Sequence, residues 1–105
     1  MARPTERGDV WFARIDKVRP VVIASRDDLN GVRGRATVAV VTSTVRGVPS
    51  EVPLDHRDGF ISACAINCDE LVTIEKTRLE RRHGALSAPR LAEFDEALRF
   101  ALQLR

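Results

Sequence analysis

Arg19 stands directly before Pro20, at the mouth of the apolar run Val21-Val22-Ile23. A guanidinium offers a planar fork of donors that matches carboxylate or phosphate oxygens, and it stays charged at any working pH. Pro20 has no backbone N–H and pushes the residue before it into an extended conformation, so the pair marks a strand start. Arg19 is therefore held on rigid backbone at a strand end, a place suited to holding an anion. The structural use of the same side chain would be an ion pair with Asp69 or Glu70.

The other reactive residue types exclude more than they suggest. Cys64 and Cys68 fall in "ISACAINC", which reads as a strand and separates their Cα atoms by about 13 Å at ~3.3 Å per residue. A disulfide needs less than roughly 7 Å, so a straight strand forbids the pair. Zinc would need more ligands, and His56 and His83 have no ligand spacing between them. Two buried free thiols are the expectation. His56, in "DHRDG", reads as a solvated loop residue, and no histidine is obviously placed as a base.

The elements that must position Arg19 come next. "DVWFARI" reads as a first strand with Trp11, Ala13 and Ile15 on one face and Val10 and Phe12 on the other. Apolar residues on both faces fit a barrel interior or an oligomer interface. Trp11 is expected in the core, an exposed base-stacking platform being the lesser alternative. "DKV" then connects to "RPVVIAS", and a polar loop "RDDLNGVRGR" follows. "ATVAVVTST", "SEVPL", "ISACAIN" and "ELVTIEK" read as four more short strands, with Pro53 placing "EVPL" at a sheet edge. "KTRLERRHG" is expected to contain a short helical turn.

At the C-terminal end the period changes. Ser87 is placed as an N-cap and Pro89 in the first turn of an amphipathic helix. Its apolar stripe is Leu91, Phe94, Leu98, Ala101 and Leu102. Short antiparallel strands plus one helix imply a small barrel or sandwich with the helix laid on it.

A length of 105 residues suits a single domain spanning 1–105. The formal net charge is only +2, and 15 of the 17 basic residues are arginine. That balance does not suggest a histone-like or membrane-coating protein and leaves room for a local basic groove. No apolar run approaches a membrane span and "MARPTERGD" is no signal peptide, so a cytoplasmic protein is expected.

Taken in order, "RGDVWFARI", "RPVVIAS", "VAVVTST", "VPSEVPL" and "NCDELVTIEKTRL" followed by an amphipathic helix resemble the MazF/PemK toxin family, over nearly the whole chain. The resemblance implies an SH3-like β-barrel with a C-terminal helix, assembled as a homodimer. It implies an endoribonuclease that cuts single-stranded RNA and is silenced by a cognate antitoxin, whose disordered acidic tail would mask the same arginines. No cofactor or metal is implied.

Residue by residue, the resemblance carries catalytic roles to Arg19, to Thr42 in "VVTST" and to Asp69 in "NCDE". Asn67 stands where some relatives have Arg, and "DKV" replaces a longer loop, so Lys17 is assigned part of that loop's work. The expected RNA contacts are Lys17, Arg26, Arg33, Arg35, Arg46, His56 and Asn67. Two other uses of such a fold stay open at this point. One is a toxin that binds a protein target such as gyrase; the other is a silent RNA-binding module.

Overall fold

The computed structural model describes residues 5–27 and 34–105. The strands are β1 (Asp9–Arg14), β2 (Val18–Ile23), β3 (Arg35–Thr42), β4 (Glu51–Leu54), β5 (Cys64–Glu75) and β6 (Leu79–Ala85), and one helix follows, α1 (Ala88–Leu102). They form one curled antiparallel sheet in the order β4-β5-β3-β2-β1-β6. As Pro53 implied, β4 lies at an edge with that proline exposed.

Strand alternation gives the sheet two apolar clusters, one on each face. Val10, Val22, Ala39, Val41 and Ile66 meet Phe94, Ala97 and Leu98 of α1 in the first. Trp11, Ala13, Val21, Ile23, Val38, Ile74 and Leu79 make the second. The two-sided burial of β1 is thus satisfied inside one chain, and Trp11 is a core residue at 5% exposure. Cys64 and Cys68 are buried free thiols. Burial, with the charge of Asp69 beside it, pushes the Cys68 thiol up to about 12.

Three details differ from the sequence reading. "ISACAIN" and "ELVTIEK" are one strand, β5, not two. Its register on β3 steps from Val40↔Asn67 to Ala39↔Leu71, so Cys68, Asp69 and Glu70 bulge from the ladder. The acidic pair imitates a turn in sequence, but Cys68 is buried and keeps the strand continuous. "LERRHGA" is the edge strand β6, preceded by a single 3₁₀ turn over Lys76–Arg78. Only Leu79 of that strand is buried, so it shows no apolar alternation.

The third detail lies in α1. Ser87 accepts a hydrogen bond from the Arg90 N–H at 3.3 Å, and Pro89 sits in the first turn, as expected. Phe94 and Leu98 are buried, but Leu102 is exposed, and Ala97 takes a core position instead. Among the described residues no helix is long and apolar enough to cross a membrane.

Lys76 is 2% exposed, and its Nζ has no hydrogen-bond partner among the described residues. Burial lowers its pKa from 10.5, since the charged form is the one penalised. Between the folded-state value and 10.5 the unfolded chain binds more protons, so stability rises with pH across that window. Lys76→Met keeps the stem volume and removes the ammonium. It is expected to stabilise the fold at pH 7 by about 1–3 kcal/mol and to flatten the rise, read from urea melts at several pH values.

Candidate active-site groove

The β1–β2 turn closes when the Ile15 N–H donates to the Lys17 carbonyl at 3.1 Å. Asp16 sits in that turn and accepts from the Lys17 N–H at 2.9 Å. It also takes both arms of Arg19, Nε to Oδ1 at 2.9 Å and Nη2 to Oδ2 at 3.2 Å. The Arg19 hydrogen bond holds the Asp16 carboxyl well below the usual carboxylate range, and backbone donors from the turn help. Asp16 in return raises Arg19. The ion-pair partner is therefore neither Asp69 nor Glu70, although Glu70 adds a weaker attraction.

Arg19 opens onto a groove of about 330 Å³. Three remote segments build it: Lys17–Pro20, Val41–Ser43 and Phe60–Cys64. Its floor continues the first apolar cluster through Val41, Cys64 and the half-buried Phe60. Thr42 enters from the end of β3. Its Oγ1 accepts from the Thr44 N–H at 3.1 Å, which leaves the hydroxyl hydrogen to donate elsewhere. Val18 and Ile61 expose apolar surface on the rim.

The wall over residues 60–64 is held by a capped 3₁₀ turn, His56–Asp58, with Gly59 closing it at φ 88°. Arg90 of α1 reaches the turn through Asp58 at 3.2 Å and Asp55 at 3.9 Å. The helix therefore fixes the groove wall as well as the core. An arginine fork, a free hydroxyl donor and an apolar floor can seat a phosphodiester and the base beside it.

Comparison with known proteins gives the fold a family. The PemK-like, MazF-like toxins of type II toxin–antitoxin systems match residues 6–102. The chain belongs to the PemK/MazF toxin family. The endoribonuclease MazF3 of Mycobacterium tuberculosis is 36% identical over 95 residues, covering 90% of this chain and 92% of that protein. The solved M. tuberculosis toxin MazF-mt6 superposes with a TM-score of 0.87 at 35% identity, covering 92% of this chain and 98% of that one. An endoribonuclease in complex with its cognate antitoxin from a mycobacterial species shares the fold at a TM-score of 0.88 and 24% identity, covering 96% and 97%.

In this MazF-type chain the expected site residues divide between places. Arg19, Thr42 and Lys17 line the groove together. Asp69 does not. It lies on the β5 bulge, accepting from Ser50 Oγ at 2.5 Å and from Arg46 at 3.5 Å. Asn67 accepts from the Asp69 N–H at 3.0 Å, and buried Glu51 accepts from the Arg46 and Gly47 N–H groups at 2.9 Å each. Arg46, Asn67 and Asp69 thus form their own polar cluster on the β4 side.

Arg35 lines a separate hollow with Ile15 and Arg78. Arg26 and His56 are exposed and line neither hollow, and Arg33 lies outside the described residues. Asp16, Val18, Ser43 and Ile61 went unread in the sequence. The only available signal was an Asp three residues before Arg19, at a hairpin turn.

Proposed function

We propose that this MazF-type toxin, an endoribonuclease of a type II toxin–antitoxin system, cuts single-stranded RNA in the Arg19–Thr42 groove without a metal ion. RNA carries its own nucleophile. The 2′-OH gives up its proton as it attacks the adjacent phosphorus, the 5′-oxygen takes up a proton as its bond breaks, and the products are a 2′,3′-cyclic phosphate and a 5′-OH. Protein groups then have one large task, stabilising charge on the phosphoryl oxygens as it develops. Arg19 does this with its fork once a phosphate displaces Asp16, and Thr42 donates its free hydroxyl hydrogen. The observation that carries the reading is this pairing of Arg19 with Thr42 over an apolar floor, in a member of this family. Asp69 as proton acceptor loses support, because it lies outside the groove.

The same groove is where an antitoxin acts. Lys17 and Arg19 beside exposed Val18 and Ile61 suit an acidic, partly apolar tail that is disordered until it binds. Exposed Phe100, Leu102 and Leu104 at the end of α1 support a homodimer. One domain over residues 1–105 carries the activity, and its place is the cytoplasm.

The test is a mixed-sequence RNA in excess EDTA. Cleavage with 5′-OH ends, and no cleavage where the cut site carries 2′-deoxyribose, is the expected result. An inactive but folded, antitoxin-free sample would turn the reading toward a protein-directed poison or a silent binding module.

Asp16 competes with phosphate for Arg19, so Asp16→Asn is expected to lower KM by about two- to fivefold, the range of exposed ion pairs. The gain shrinks as salt rises, because screening weakens Asp16 in the wild type. Steady-state kinetics at two ionic strengths checks both.

A further inference from the structure

Resting on that reading of the groove, we infer that a nucleobase flanking the cut is stacked on an aromatic platform made by Phe12, His83 and Phe60. Phe60 belongs to the groove itself. His83 leans on it at a centroid distance of 4.8 Å and an interplanar angle of 30°. Phe12 meets the same imidazole edge-on at 5.6 Å and 78°. In the sheet, Phe12 pairs with Pro20 on β2, the next residue after Arg19, and with Arg81 on β6. The three rings thus extend from the phosphate position along β1 and β6.

Two features distinguish this from core packing, and a third shows how the imidazole is seated. All three rings are half-buried and keep exposed surface, whereas the single tryptophan is in the core. The Arg81 guanidinium lies 4.5 Å over the Phe12 ring, putting a second cation beside the path of a polyanion. Gly59 leaves the space that His83 fills, since a Cβ there would come 2.8 Å from His83 Nε2. Rings beside a phosphate-holding arginine are what single-stranded RNA uses for unstacked bases.

The test scans an RNA of the mapped cut sequence, made uncleavable by 2′-deoxy at the scissile position, with one abasic nucleotide at each place near the cut. In wild type, one position is expected to lose about tenfold in affinity when abasic. In His83→Ala the intact RNA loses that same tenfold, and the abasic change costs nothing more. His83→Phe keeps a stacking ring and restores wild-type binding. Arg81→Ala, at an exposed position, is expected to reduce the same abasic penalty several-fold and serves if His83→Ala does not fold. Should the abasic penalty persist undiminished in these variants, or the variants weaken intact and abasic RNA alike, the platform is overturned while the cleavage reading stands. A wild type that neither binds nor cuts RNA removes both.

Discussion

Arg19→Ala keeps its fold and loses about 10²–10³ in kcat/KM for RNA, most of it in kcat. The size follows from what the fork does. Charge accumulates on the phosphoryl oxygens only as the transition state forms, so a donor aimed there lowers the barrier more than it tightens binding. The folded state has little to lose, because Arg19 pairs with exposed Asp16 at the rim and its removal strands no buried group. Arg19→Lys recovers only part of the rate, since an ammonium keeps the charge but not the two parallel hydrogen bonds. Single-turnover cleavage beside a thermal melt separates the two effects. Activity within threefold of wild type in a folded Arg19→Ala protein would sink the assignment.

Phe94→Ala has its large effect on stability. The ring is fully buried and lies among Val10, Val22, Val41 and Ile66 in the first cluster. Truncation removes its transfer energy and leaves a cavity that a curled sheet cannot close, at about 3–5 kcal/mol. Arg7 lies 5.5 Å over the same ring and loses that contact as well. Against a typical total of about 5–15 kcal/mol, the variant gives up a large share of its stability. A urea melt with unchanged slope and a much lower midpoint is the expected record. Phe94→Leu conserves more volume and costs far less. The groove floor continues this cluster, so activity falls with stability in Phe94→Ala, whereas Arg19→Ala separates them.

What could be read in the sequence was what local chemistry dictates. Pro20 fixed the start of β2, Pro53 marked an edge, and Ser87 with Pro89 capped α1, because each acts through its own backbone neighbours. The β5 bulge was not legible. Asp69 and Glu70 look like a turn unless one knows that Cys68 faces the core. β6 was hidden for the opposite reason, since an edge strand with one buried residue carries no period. The family resemblance put Arg19 and Thr42 together, and both line the one groove. It could not tell that Asp69 is held apart by Ser50 and Arg46, because hydrogen-bond partners across a fold leave no spacing in the chain; the claim of Asp16 on Arg19 is local, and its three-residue spacing was there to be read.

The pairing of β1 with β6 sets a timetable for synthesis. The outer edge of the first strand waits for Leu79–Ala85, so the sheet closes through contacts of high sequence separation, and such topologies fold slowly. Until β6 leaves the ribosome, Phe12 and Phe60 lack the imidazole that each of them meets, and α1 is not yet present to cover Val10 and Val22. A nascent chain therefore carries Arg19 and Thr42 long before it carries a finished groove. The supports of the groove, β6 and the Arg90 contact of α1 to Asp58, are the last parts of the chain to be made.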